Sequence, residues 1–399
     1  MGDIEHMFQP GKDNSIEYIS LYLFSLTILI IVFPVRSGPP EIIWENTLNT
    51  GLDCRYWGVD ATDDGGAICA GETASDDTEI TSLLLVKYTP LGTVQWKIIT
   101  GWSLGTSGQD VLQVPGGYIV CGKINSGSNY DGFAVMFDYF GNILWFNRLE
   151  NQSDEVLYDI ARVGDSCYVA AGYTESTGAG KKDALLVLFD TDGNLLWKRS
   201  FGTSGEEIAY SVETLSNGGF ALAGGSEGNF YVVITDKDGL GRYAKTFDNG
   251  GHEIARTLLE SSEGGFFLAG STMESGSYQS NIWLVRTDSE GNEIWSFEIG
   301  GDDNDSAWDA IEPETGGYIV LGNTMSSGSG KYDAVLYRID PWGNIIWKMT
   351  AGDSLWNTGS GLSISSGGNL LFAGRTETAE NRIFNSWLVF TSPEDLLNW

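Results

Sequence analysis

One phrase recurs through this chain and limits what it can fold into. A Gly-Gly turn (or a close variant), followed by an apolar run that ends near Ala-Gly, occurs seven times. It reads GGAICAG from Gly65, GGYIVCG from Gly116, GDSCYVAAG from Gly164 and GGFALAG from Gly218. It continues as GGFFLAG from Gly264, GGYIVLG from Gly316 and GGNLLFAG from Gly367. The copies stand about fifty residues apart, a period that means a propeller or a solenoid. A second phrase keeps step with the first: FDYFGNILW from Phe137, FDTDGNLLW from Phe189, TDSEGNEIW from Thr287 and IDPWGNIIW from Ile339.

Each unit holds four short runs rich in Val, Ile, Leu, Tyr and Trp, parted by Gly, Asn, Asp and Ser. Those are strand and turn signals, with no helical period of similar length. One unit can be followed in full. IAYSVETL (Ile208–Leu215) is a first strand, SNGG turns it into FALAGG, FYVVITD is the third strand, and DKDGLG turns that into RYAKTF. Four antiparallel strands repeated seven times predict an all-β, seven-bladed propeller. Asp-x-x-Gly-Asn is the tight turn between the third and fourth strands, where Gly and Asn accept positive φ. The Trp after it is expected to clamp its blade against the next one. That role falls to Trp44, Trp96, Trp145, Trp197, Trp295 and Trp347.

Closure supplies an independent check. EIIWENTL (Glu41–Leu48) reads as a fourth strand with Trp44 in the usual place, yet it precedes the first full unit. The last unit has three strands, and SPEDLLNW after them lacks the Gly-Asn turn. The entering strand is therefore expected to complete the final blade, which would remove the open edges of the ring. On this reading residues 1–17 are a tail, 36–40 a linker and 41–399 the propeller. Between them, Tyr18–Val35 is eighteen residues without a charge, enough to span a bilayer as one helix. No small-x-small cleavage site follows, so an uncleaved signal anchor with the propeller outside is expected, with cleavage as the alternative.

The unit is similar to the tryptophan-docking motif of quinoprotein-type propellers, with one residue fewer between Asp and Trp. The longer pattern GG[YF]xxAGxT…DAxLxxxDxxGNxxW resembles propeller-repeat proteins of bacterial and archaeal cell surfaces, from Glu41 to about Phe390. The resemblance implies an extracytoplasmic propeller in a group mostly without assigned activity. A pyrroloquinoline-quinone dehydrogenase would be expected to carry an adjacent Cys pair, absent here, so no cofactor is carried over. Sialidase-type Asp-boxes also differ in spacing, since Gly193 stands three residues after Asp190 and Trp197 four further on.

Charge and composition narrow the function. Asp and Glu number 54 against 22 Lys and Arg, a formal charge of −32. Phosphate binding needs clustered Lys and Arg, so a nucleic-acid role is excluded. Two histidines, His6 and His252, make His-based acid–base chemistry a poor fit. Cys54, Cys69, Cys121 and Cys167 form no CxxC pair, which argues against zinc, and small buried residues are expected over disulfides.

Loops joining strands two and three, and one blade to the next, share a face and vary in length and composition. Recognition is expected there. Candidate ligand residues on that face are Asp154, Glu155, Glu206, Glu207 and Glu253. Asp302, Asp303 and Asp305 are the most metal-like group, with Ca²⁺ the ion their oxygens would suit. Asp131, Asp183 and Asp333 recur where third strands begin, and Asn151 and Asn304 start glycosylation sequons. The expected function is a membrane-anchored, non-catalytic module that binds protein or glycan at the cell surface. The alternatives are a carbohydrate-active hydrolase or lyase using acidic residues of that face, and a quinoprotein-fold envelope assembly scaffold. Two close carboxylates in a deep cleft walled by aromatics would favour the enzyme.

Overall fold

A computed structural model describes residues 38–75, 78–101, 105–379 and 382–393. They form seven antiparallel sheets of four strands each, the seven-bladed propeller the repeat demands. Blades 1 to 6 run through residues 54–100, 106–149, 155–201, 207–247, 251–299 and 305–351. Blade 7 joins three C-terminal strands, from Asn357 to Pro393, to the entering strand Ile42–Leu48. Trp44 pairs with Phe390 and Leu48 with Ser386, so the two ends of the chain share one sheet. Where other blades have a hairpin between strands three and four, blade 7 has a seam in which Ser392 N–H donates to the Glu41 carbonyl. Closure by the entering strand is thus observed, and blade 7 has its full four strands, leaving only the short edges every propeller blade has. The expected transmembrane segment, Tyr18–Val35, lies outside the described residues. Among those described, no helix is long and apolar enough to cross a membrane.

The core is a set of apolar layers between neighbouring blades. The second and third strands are buried on both faces, as in Tyr168–Ala171 with Ala184–Phe189. The outer strands bury one side, so their pattern alternates.

The recurring turn and Trp belong to one device shared between two blades. In blade 3, Asp190 Oδ1 accepts the N–H groups of Asp192 (3.0 Å) and Asn194 (2.8 Å), and its Oδ2 takes Asn194 Nδ2. Gly193 in that turn has φ +81°, and a Cβ there would lie 2.4 Å from the Trp145 ring of blade 2. The Trp145 indole N–H donates to the Thr191 carbonyl at 2.9 Å. Trp44, Trp96 and Trp295 donate likewise to Pro90, Tyr139 and Pro341 at 3.2 Å each. Trp197 lies against Gly239, and Tyr243 takes this place in blade 4, its hydroxyl on the Ser289 carbonyl. Trp347 faces blade 7, which has no such hairpin, and is buried among Leu370, Trp387 and their neighbours. The glycine is needed twice over, for its φ and for the indole above it.

Candidate functional site

The seven innermost strands line the axis, and all seven carry a β-bulge at one place. In blade 1, Tyr56 pairs with Gly71 and Gly58 with Ala70, leaving Trp57 extra. The same two-for-one pairing leaves Gln109, Tyr158, Tyr210, Arg256, Trp308 and Ser360 extra in blades 2 to 7. Opposite each bulge stands the glycine that ends the repeated apolar phrase. A Cβ on Gly71 would lie 1.9 Å from the Arg55 carbonyl oxygen, and on Gly172 1.7 Å from that of Val156. The bulged strand presses its backbone onto its partner, so only glycine fits.

A bulge re-aims a side chain, and these seven line the axial channel. Tyr158 and Tyr210 have ring centroids 5.0 Å apart. The Arg256 guanidinium lies between the rings of Tyr210 (4.3 Å) and Trp308 (4.8 Å), as cation–π contacts require. Ser360 is the small member, and across it Trp308 stacks on Trp57 at 6.1 Å and 27°. Trp308 Nε1 donates to Ser306 Oγ, whereas Trp57 Nε1 is buried with no partner among the described residues. Arg256 makes no ion pair among the described residues.

One residue beyond the bulge in blades 2 to 6, a polar side chain ties its blade to the next. Asp110 Oδ2 accepts Ile160 N–H (3.3 Å), Asp159 Oδ2 accepts Val212 N–H (2.7 Å), and Ser211 Oγ accepts Leu258 N–H (3.2 Å). Thr257 reaches Asp309, whose Oδ2 accepts Leu362 N–H at 2.7 Å. Blades 1 and 7 have Gly58 and Gly361 at this place, where a Cβ would lie 2.6 Å from Asp110 Oδ1 and 2.9 Å from the Trp57 carbonyl. The tie moves two residues on, to Asp60 on Gln113 N–H (2.8 Å) and Ser363 on Ala61 N–H (3.0 Å).

From the ring of bulges to the hairpins between strands one and two runs a cavity of about 630 Å³. Burial pushes the carboxyl of Asp60 up to about 6 and that of Asp309 up to about 7. Burial, then the charges of Asp159 and Glu260, brings Glu213 to about 7. Asp110 and Asp159 are close enough to hydrogen-bond each other, and burial raises both, with Asp110 the protonated donor.

A second cleft, of about 460 Å³, opens on the opposite face between blades 4 and 5. Lys181, Glu206, Glu227, His252 and Glu253 line it, and Tyr210 forms part of both cavities. Here the structure brings together two residues singled out from the sequence, Glu206 and Glu253. Glu206 is exposed and 3.6 Å from Lys181. Glu155, Glu207, Glu253 and Asp305 hold one equivalent place, three residues before the bulge, and all are buried. They accept hydroxyl hydrogen bonds from Thr174, Ser226, Thr272 and Ser326 respectively, with Lys198 also on Glu155. Asp154 Oδ1 accepts Tyr130 N–H. Asp302 and Asp303 are exposed, away from both cavities. Among the described residues, no three of His, Cys, Asp and Glu gather as a metal site. All four cysteines are unpaired.

Sequence reasoning passed over the channel residues, though the closing glycine of each apolar phrase was their signal. An isolated Gly within a strand marks a bulge or a close backbone approach.

No protein-family model matches the chain, and no curated protein matches it. Solved structures do. BBS1N in complex with ARL6DN has a TM-score of 0.52 at 12% identity, over 92% of this chain and 97% of that one. A protein from Lactobacillus plantarum has 0.52 at 13%, over 82% and 97%. YCF48 bound to D1 peptide has 0.51 at 6%, over 91% and 100%. Likeness at this level shows the propeller fold and nothing finer.

Proposed function

We propose that the protein is a membrane-anchored, extracytoplasmic propeller that binds a protein or glycan partner at the cell surface without catalysing a reaction. One observation carries the reading. Seven equivalent backbone bulges present Trp, Gln, Tyr, Tyr, Arg, Trp and Ser to one channel, so the scaffold repeats while the side chains do not. Aromatic planes with one cation between them suit a flat or ring-shaped group, whether a sugar or a peptide side chain. Two propellers of like fold are seen with a bound partner, ARL6DN and D1 peptide, which supports binding by analogy. The uncharged run Tyr18–Val35 supports the anchor.

The test is capture of glycans on an array, and of proteins from a surface extract, by the full chain in detergent. Tyr210→Ala with Trp308→Ala should lower capture by roughly a hundredfold, the loss typical of two aromatic anchors. Undiminished capture by that variant sinks the channel as the binding site. Loss on adding chelator, but not salt, would add Ca²⁺ to the site.

One arrangement favours a second reading, a carbohydrate-active hydrolase or lyase: the carboxyls of Asp110 and Asp159, both protonated more readily because of burial, line the aromatic-walled channel together. Against it, one oxygen of each already ties a neighbouring blade through Ile160 and Val212. Serine does the same work in blade 4, so the place is first a structural one.

A further inference from the structure

The hairpins between strands three and four stand around the rim of one face, and their tips divide into two arcs. In blades 3, 4 and 5 the tips are Thr191-Asp192, Lys237-Asp238 and Ser289-Glu290. In blades 6, 1 and 2 they are Pro341-Trp342, Pro90-Leu91 and Tyr139-Phe140. Phe140 is 83% exposed, Leu91 82% and Trp342 68%. Tyr139 turns inward onto Tyr118 and the Val114 carbonyl, whereas the polar arc shows that the same turn folds with charged residues at its tip, so the turn itself does not require apolar ones.

The apolar arc is centred on blade 7, where both chain ends leave the ring. Glu41 and Ser392 sit where that blade's own hairpin would be, between Trp342 on one side and Leu91 on the other. Ile42 and Ile43, the first residues of the entering strand, are 41% and 56% exposed on the same rim. From Val35, the end of the uncharged run, to Ile42 there are six intervening residues, at most about 20 Å of extended chain.

We infer that this arc rests on the lipid bilayer, with Trp342, Leu91 and Phe140 entering the headgroup boundary and the polar arc lifted away from it. The inference rests on the membrane anchor proposed above and adds the orientation of the disc. A Trp and bulky apolar side chains at the interface are favourable there, whereas Asp192, Asp238 and Glu290 are not. The hairpin face is then membrane-proximal along blades 6, 7, 1 and 2, while the lifted polar arc leaves the mouth of the axial channel, which opens on this face, clear for a partner. With a net charge of −32 the apolar contact has to act without electrostatic help, so the fitting surface is zwitterionic.

Full chain reconstituted in phosphatidylcholine vesicles, footprinted with hydroxyl radicals and read by mass spectrometry, tests this. Tyr278, 93% exposed in the loop between strands two and three of blade 5, is the internal reference on the other face. Modification of Trp342 and Phe140 should fall about five-fold or more relative to Tyr278 when vesicles replace detergent, as for side chains withdrawn from water. Chain that floats with the vesicles, yet is modified at both tips as readily as in detergent, overturns the inference and leaves the anchor standing. Chain that does not float overturns the anchor and this inference with it. Protection that rises with the number of chains per vesicle would place a second copy over the arc and overturn the lipid assignment. The triple variant Leu91→Glu, Phe140→Glu, Trp342→Glu should still float while Tyr139, the unchanged residue of the blade 2 tip, loses its protection. Unchanged protection of Tyr139 in that variant counts against the inference.

Discussion

The outer seams and the inner strands of this ring are built by opposite rules. At the outer seams one indole and one Gly-Asn turn are used again and again, because the side chain itself supplies the contact. Trp44, Trp96, Trp145 and Trp295 all donate to a carbonyl of the next blade's hairpin. At the axis the backbone bulge supplies the geometry, and a glycine opposite it supplies the room. The bulged side chain is then free to differ, and it does: five residue types fill seven equivalent places. Repetition marks positions that hold the ring, and variety on a repeated backbone marks positions released for another purpose.

Substitutions that separate the two rules should differ in size. The largest effect is expected at Gly193, where φ is +81° and a Cβ would meet the Trp145 ring at 2.4 Å. Gly193→Val should cost on the order of 4 kcal/mol or more, combining backbone strain with loss of the docked indole. Urea unfolding of the full chain followed by Trp fluorescence would read it. Trp145→Ala comes next, at about 2–4 kcal/mol, since the side chain is partly buried against the core and hydrogen-bonded. Trp57→Ala, at the axis, should cost about 1 kcal/mol, because its indole N–H has no partner to lose among the described residues and its ring faces the channel. Equal losses at Trp145 and Trp57 would break the comparison.

The same contrast explains what could be read in advance. The fold was legible because closure contacts must recur: every seam with a hairpin has its glycine turn, D-x-x-G-N in blades 2, 3, 5 and 6, under an aromatic ring of the preceding blade that is Trp in all but blade 4, where it is Tyr243. Strand Glu41–Leu48 was recognisable as the missing quarter of blade 7 by the same mark, Trp44. The channel was not legible in that way, since its identity lies in residues that do not repeat. A bulge also breaks the two-residue alternation from which facing is inferred, so Trp57, Tyr210 and Trp308 could not be assigned to a side. The acidic candidates show the converse problem. Glu155, Glu207, Glu253 and Asp305 looked available because they follow loops, yet the hydroxyl that binds each one is contributed by the second strand or the loop leaving it, some twenty residues away.

A pH profile sharpens the picture of the axis. A carboxyl raised on folding, as at Asp309 (about 7), holds its proton more tightly in the folded chain than in the unfolded one. Folding stability should therefore fall as pH rises from about 4 through about 7, by at most about 1.4 kcal/mol per pH unit for each such group. Asp60, at about 6, acts in the same direction. The turn carboxyls of Asp138, Asp190 and Asp288 are lowered, first by the side chains of Asn142, Asn194 and Asn292, so their contribution is lost only in more acidic solution. Asp309→Ser copies what Ser211 does in blade 4, keeping an acceptor for the neighbouring N–H while removing the titration. Its urea midpoint should vary less between pH 4 and 7 than that of the parent chain. An unchanged slope would mean that Asp309 is ionised throughout.

The smallest effect is expected at Glu206. It stands beside Glu207, and strand geometry turns the two to opposite sides: Glu207 is buried on Thr203 and Ser226, while Glu206 is exposed with Lys181 at 3.6 Å. An exposed pair of that length is worth about 0.5 kcal/mol or less, so Glu206→Gln should leave unfolding nearly unchanged. The same substitution removes a charge from the cleft that shares Tyr210 with the channel. If the bound partner reaches through to that face, capture will weaken while stability holds. If capture also holds, binding is confined to the axis and the hairpin side, and variety in the inter-blade loops has some other cause.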